Sequence, residues 1–126
     1  MNAQCYSRVI DAWCAATGMT RWDPDAIMHV DIDGTTVAMM YDEASLPDML
    51  VCHFDLGSIE QADLHRQLLQ KNLLMGALPG GRFGVHPDSG HVIFSQEVPL
   101  TEDTPGGELP AFLAAAAAQA RAVLNI

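Results

Sequence analysis

Hydrophobic and polar positions follow two different periods along the chain, and each period predicts a different element. In residues 3–17 apolar side chains recur every three or four positions, which predicts an amphipathic helix that ends at Gly18. Three short segments then alternate with a period of two: residues 27–33, 35–42 and 49–56. This alternation is typical of strands, so we expect a three-stranded meander after the first helix.

Helical spacing returns in residues 59–78, where Ser58 and Gln61 have the form of a capping box. Residues 82–85 and 91–98 alternate again around the turn-rich loop 86–90, which predicts a hairpin. A closing helix follows, with one apolar stripe formed by Leu109, Leu113, Ala116, Ala117, Ala120, Val123 and Leu124.

The predicted order is helix, three strands, helix, two strands, helix, without an internal repeat or a dividing linker. We therefore expect one α+β domain over residues 1–126, with a mostly antiparallel sheet and helices packed on it. A chain of this length buries roughly two-thirds of its unfolded surface, so its core needs neither a metal nor a disulfide.

The cysteines and the apolar runs indicate where the protein works. Three cysteines without CxxC spacing, and no charged leader before a long apolar stretch, indicate a reduced cytosolic protein without a signal peptide. The longest unbroken apolar run, residues 111–118, is far shorter than the ~20 residues that cross a bilayer. We expect no membrane span.

Charge excludes further classes of partner. Sixteen acidic residues against six Lys and Arg give a formal net charge of −10 in a chain that is 49% hydrophobic. Nucleic acids and anionic membranes are bound by clustered basic residues, and this chain has one lysine, Lys71. Ten acids and no Lys or Arg lie between Trp22 and His65, a band that predicts a solubilising rim or, as the alternative, steering of basic partner segments.

The segment Asp31-Ile32-Asp33-Gly34-Thr35 resembles the DxDGT motif of haloacid-dehalogenase-type phosphotransferases. That chemistry needs a nucleophilic aspartate at the end of a buried parallel strand, a nearby lysine and further carboxylates for Mg²⁺. Here a second alternating segment follows directly, which favours a two-residue hairpin turn at Asp33-Gly34. A Mg²⁺-dependent phosphatase that uses Asp31 and Asp33 is the alternative.

Other chemistry has little support. His29, Asp31 and Asp33 share one face of the first predicted strand, but at ~3.3 Å per residue they spread over about 13 Å, too far for one ion without ligands from other segments. No HExxH spacing, nucleophile elbow or phosphate loop is present. We expect no enzyme activity, no metal and no cofactor.

Two segments carry more apolar surface than one sheet can cover. Apolar side chains surround the last turns of the second predicted helix: Leu73, Leu74, Met75, Ala77 and Leu78. A second copy of the same helix would bury them, since closed two-fold dimers are the commonest assemblies. The second predicted strand is apolar on both faces, with Val37, Met39 and Tyr41 on one and Ala38 and Met40 on the other. This pattern predicts either a methionine-rich peptide surface or a helix over each face.

Three stretches in the second half share a known pattern: residues 68–76 (Leu-Leu-Gln-Lys-Asn-Leu-Leu-Met-Gly), residues 80–92 (Gly-Gly-Arg-Phe-Gly-Val-His-Pro-Asp-Ser-Gly-His-Val) and residues 94–100 (Phe-Ser-Gln-Glu-Val-Pro-Leu). A leucine-rich helix, a small-residue break and two strands joined by a Pro-containing turn resemble the type III secretion chaperones of the Tir-chaperone family. His86-Pro87 stands where Asp-Pro is common. About thirty residues carry the resemblance, and element order, length and acidity agree with it.

The resemblance implies a homodimeric bacterial cytosolic chaperone, without catalysis, that binds the N-terminal region of a secreted effector in extended form. Delivery to the secretion machinery would add the secretion ATPase as a partner. The implied client surface comprises Val9, Trp13, Val30, Val37, Met39, Met40 and Phe54. The implied dimer interface comprises Leu69, Leu73, Leu74, Met75, Leu78 and Phe83. A peptide-binding adaptor with another client would present the same surface and is the second alternative.

Overall fold

A computed structural model of the chain describes residues 2–74 and 81–126, which form three helices and five strands. Their order is α1 (Asn2–Thr17), β1 (Met28–Ile32), β2 (Thr35–Met40), β3 (Met49–Asp55), α2 (Leu64–Leu74), β4 (Gly81–Val85), β5 (Val92–Pro99) and α3 (Leu109–Val123). All the strand pairs are antiparallel, in the spatial order β1-β2-β3-β5-β4. The predicted α+β class and element order are confirmed.

The five strands alternate buried and accessible positions, which divides the sheet into two faces. The face that we call the inner face is buried and comprises Val30, Ile32, Val37, Met39, Leu50, Cys52, Phe54, Phe83, Val92, Phe94 and Val98. These side chains form one core with the buried residues of α1 and α3 and with Leu68 of α2. The face that we call the open face comprises His29, Asp31, Thr36, Ala38, Met40, Val51, His53, Asp55, Arg82, Ile93, Ser95 and Glu97, all half-buried or exposed.

The hairpin turn predicted between the first two strands is present. Asp33 and Gly34 have φ of 50° and 85°, the left-handed pair that a type I′ turn requires. Oδ1 of Asp31 accepts a hydrogen bond of 2.7 Å from the Gly34 N–H. The two aspartates of the DxDGT segment therefore belong to a turn in an antiparallel hairpin, and not to the end of a parallel strand.

The second helix begins later than the sequence predicts. α2 starts at Leu64 because Asp63 has a φ of 57°, a left-handed conformation that cannot continue a helix. The predicted capping box at Ser58 is wrong, since the Gln61 amide instead donates to the Leu124 carbonyl at 3.4 Å. Residues 75–78, the predicted end of this helix, lie outside the described residues.

α3 and α1 close the core on the inner face. Leu109, Leu113, Ala116, Ala117 and Ala120 of α3 are buried, as the predicted stripe requires. Arg121 fixes the end of this helix to the sheet by donating to Oγ1 of Thr35 at 3.0 Å. Within residues 2–74 and 81–126, no helix has the length and apolarity that a membrane span needs.

Candidate functional site

Six of the seven residues assigned to a client surface by resemblance lie in the core. Each of them is at most 6% exposed: Val9, Trp13, Val30, Val37, Met39 and Phe54. The expectation that they form an accessible surface is wrong for the chain in this conformation. For the strand residues the reason is that a period of two does not say which face of the sheet the helices cover. Val9 and Trp13 lie on the side of α1 that packs into the same core. Met40 alone among the seven lies on the open face.

The open face carries a shallow groove of about 420 Å³ where β2, β3 and β5 run side by side. Its floor is apolar and includes Ala38, Met40 and Ile93. A second hollow of about 300 Å³ continues toward β4 and shares Ile93, His53 and His86 with the first. We call the two together the open-face groove, and it is the apolar surface of the sheet that α1 and α3 leave accessible.

Histidines and one carboxylate border the open-face groove. Nδ1 of His91 lies 2.9 Å and 3.1 Å from the two carboxylate oxygens of Asp55. Burial alone would raise the pKa of Asp55, but the hydrogen bonds from His91 and from the Gly57 N–H, with the nearby charges of His91 and His86, lower it overall. Burial lowers the pKa of His53, so its ring favours the neutral form beside the apolar floor.

Neither metal binding among the described residues nor thiol chemistry at the buried Cys52 is favoured. No three His, Cys, Asp or Glu side chains of residues 2–74 and 81–126 are grouped so that they could hold a metal ion. Burial raises the pKa of the Cys52 thiol to about 12, so at neutral pH this side chain is a thiol and not a reactive thiolate. The groove offers apolar contact area and hydrogen bonding.

The second accessible apolar surface lies on α2, beside the outer strand β4. The Asn72 side chain joins the two elements: its amide donates to the Phe83 carbonyl at 3.1 Å, and its oxygen accepts from the Phe83 N–H at 2.6 Å. Leu68, one turn before Asn72, is buried. Leu69 and Leu73, also one turn apart, are 72% and 85% exposed and form an accessible apolar pair on the described part of α2.

Of the other residues assigned to a dimer interface, Phe83 is the one whose side chain the structure describes. Phe83 is 5% exposed, and its ring packs 5.1 Å from that of Phe94, so it belongs to the core of its own chain. Its assignment to a surface is wrong, because the inner face of β4 is covered by α2. Met75, Leu78 and the side chain of Leu74 lie outside the described residues.

Comparison with known proteins shows to which family this chain belongs. The model of the Tir chaperone protein (CesT) family matches residues 23–124, most of the chain. The chain belongs to the Tir chaperone protein (CesT) family. This confirms the resemblance seen in residues 68–100 and identifies the chain as a type III secretion chaperone. No curated protein matches the sequence.

Solved structures share the fold of this CesT-family chain. A chain of the HopA1-SchA chaperone-effector complex has a TM-score of 0.74 at 19% identity, covering 98% of this chain and 96% of that one. A chain of the Yersinia pestis secretion chaperone SycH in complex with a fragment of YscM2 has 0.65 at 22%, covering 94% and 98%. A chain of the ExsC-ExsE complex has 0.71 at 17%, covering 91% and 85%. The family and the fold are those of non-enzymatic chaperones.

Two features of the site were missed by the sequence reasoning. His53 lies at the border of the open-face groove and Ile93 on its floor, although neither was assigned to a surface. The signal was available in β3 and β5, where these residues alternate with buried Cys52 and Phe94. The link from Asn72 to β4 had no sequence signal, because a polar residue inside a helix is normally solvated.

Proposed function

We propose that this CesT-family chain acts as a cytoplasmic homodimer that binds the N-terminal segment of a secreted effector in extended form, without catalysis, and presents it for secretion. The proposal rests on the observation that the open-face groove and the Leu69/Leu73 pair are both apolar and accessible. Family membership supports the chaperone role. The HopA1-SchA neighbour is described as a chaperone-effector complex, which supports the kind of partner.

The shape of the open-face groove favours an extended client. It is shallow and lies across neighbouring strands, so an extended segment can follow the surface of the sheet along it. An extended segment presents alternate side chains to one surface, and every second one would contact Ala38, Met40 or Ile93. Methionine adapts to differently shaped partners because its side chain is unbranched and polarisable.

The Leu69/Leu73 pair favours a two-fold contact between copies. Two leucines one turn apart on a short helix, 72% and 85% exposed, leave apolar area in water that a second α2 would bury. Because α2 is joined to β4 through Asn72, the interface would include the outer edge of the sheet. The open-face groove of each copy would remain free for a client.

A peptide adaptor with a client outside the secretion system would use the same groove, and the identity of the client distinguishes the two. The test is purification of the tagged chain from the native bacterium, followed by limited proteolysis and mass spectrometry. We expect a secreted protein whose N-terminal segment is protected from protease. A bound protein without secretion behaviour would favour the adaptor, and a chain that never carries a client would contradict both.

A matched pair of variants tests the surface itself. Met40→Asp places a charge on the floor of the groove and should reduce client recovery, because a desolvated carboxylate opposes apolar contact. Met40→Leu keeps the apolar floor and should retain the client. The dimer mass should be the same for both variants. Equal client recovery from both would remove the open-face groove from the client site.

A further inference from the structure

A second apolar groove lies on the helix side of the sheet, where β5 ends and α3 begins. Its volume is about 730 Å³, within the range of 300–1,000 Å³ common for ligand sites. The apolar lining comprises Val98, Pro99, Pro105, Leu109, Ala111 and Phe112. We call it the α3 groove. None of its lining residues belongs to the open-face groove or to the Leu69/Leu73 pair.

The connection between β5 and α3 forms a fixed wall of this groove. The Thr101 N–H donates to Oγ1 of Thr104 at 2.8 Å, and the same hydroxyl donates to the Pro99 carbonyl at 3.0 Å. Gly106 packs so closely on α1 that a Cβ there would lie 2.6 Å from the Val9 carbonyl oxygen. Because the wall is already ordered, binding costs little conformational entropy there.

Phe112 presents an aromatic side chain that the described residues cover only by about half. It is 47% exposed, whereas Leu109 and Leu113 on the inner side of α3 are buried. An exposed aromatic ring at the side of an apolar groove is the kind of anchor that peptide interfaces use.

The acidic residues around the α3 groove favour a basic partner over an acidic one. Asp103 and Glu108 lie in its lining, and Glu102 is adjacent in sequence. Between residues 83 and 120 the chain has five acids and no Lys or Arg. A second copy would bring the same acidic rim and be repelled, whereas a segment with Lys or Arg beside its apolar residues would be attracted.

We propose that the α3 groove binds an extended segment of the effector in which apolar residues alternate with Lys or Arg, as a second anchor besides the open-face groove. The apolar side chains pack on Phe112 and Pro99, and the basic residues lie over Asp103 and Glu108. This rests on the proposed function, because it specifies the chemistry of the client.

A peptide titration tests the chemistry of the groove without any client in hand. The probes are two eight-residue peptides, one alternating leucine with arginine and one alternating leucine with glutamate, followed by amide chemical shifts of the full chain. We expect the basic peptide to saturate, with shifts at Thr101, Thr104 and Ala111. Equal binding of the acidic peptide, shifts confined to other regions, or no binding at about 1 mM would overturn the proposal.

Variants of the full chain make the test specific. Phe112→Ser removes the apolar anchor without changing the charge of the groove and should weaken the basic peptide at least about tenfold. Ala118→Ser, at an exposed site on the same helix outside the groove, should not. The double variant Asp103→Asn with Glu108→Gln should weaken binding of the basic peptide about fivefold at low salt. The Glu108 side chain makes no capping hydrogen bond, so this change leaves α3 intact. Unchanged affinity in Phe112→Ser would contradict the proposal, as would conversion of a dimer to a monomer by that change.

The native host separates this proposal from the proposed function. Phe112→Ser should reduce recovery of the client from the bacterium relative to Ala118→Ser. If a client is recovered equally with both, the chaperone function stands and the second anchor is wrong. If no client is recovered with the unaltered chain, the chaperone function fails, whatever the peptides do.

Discussion

The two faces of β2 carry similar side chains and meet different surroundings. Val37 and Met39 are at most 1% exposed under the helices, while Ala38 and Met40, each one residue away, are half-buried on the open face. The difference in exposure does not come from hydrophobicity, since positions 39 and 40 are both methionine. It comes from α1 and α3, which cover one face and leave the other accessible. In this fold the core and the candidate client surface are two sides of one strand.

The largest expected effect is a difference in stability between variants of Met39 and Met40. Met39→Ala leaves a cavity in a packed core and should lower the free energy of unfolding by about 2–5 kcal/mol. Met40→Ala, at a half-buried site, should lower it by less than about 1 kcal/mol. Urea unfolding of both variants measures the difference. Equal losses of unfolding free energy would mean that Met40 is also tightly packed, against a partner that stays bound in dilute solution.

The next effect concerns the accessible side of α2. Leu69→Asp combined with Leu73→Asp should convert a dimer into a soluble monomer, because two charges oppose burial of this surface. Gln70→Asp, which adds one charge at an exposed position between them, should remain dimeric. Light scattering coupled to size exclusion gives both masses. A double variant that is still a stable dimer would place the interface elsewhere.

The smallest effect is a pH dependence of the open face. The pKa of Asp55 is lowered in the folded chain, so its stabilising contribution is fully present above the unfolded value of about 3.9. The contribution is lost as pH falls through the lower folded value. Because the pair with His91 is about 40% exposed, we expect less than about 1 kcal/mol.

Asp55→Asn measures that contribution. The difference in free energy of unfolding between this variant and the unaltered chain should be greatest near neutral pH and should shrink below about pH 4. Urea unfolding at a series of pH values checks it. A difference that grows as the solution becomes more acidic would contradict the assignment.

The sequence was sufficient for the fold where local signals agreed. Asp33-Gly34 predicted its hairpin, and Gly18, with φ of 76°, ends α1 as expected. The start of α2 was misplaced because Ser58 and Gln61 match a capping pattern, whereas Asp63 adopts a left-handed conformation that only the packing of this chain selects. Local patterns do not report such long-range choices.

The candidate site was less predictable, because it depends on which face the helices cover. Leu73 was predicted to lie among apolar residues that a single sheet would not cover, and it is 85% exposed. Leu69, which only the resemblance assigned to a dimer interface, is 72% exposed, and its place in that interface stays a prediction. Trp13 and Phe54 have the size and apolarity of peptide-binding residues, but large apolar side chains suit a core equally well, and both are buried. Met40 was assigned alongside Met39, and only the covering helices distinguish them.

The methionine methyl signals of the full chain test most directly whether the open face holds the client. The measurement compares the chain alone with the chain bound to the effector segment recovered from its native host. We expect the Met40 methyl signal to shift and the Met39 signal to stay in place, because Met39 lies under the helices. A shifted Met39 signal with Met40 unchanged would show that the client enters the core, and would contradict the assignment of the open face as its binding surface.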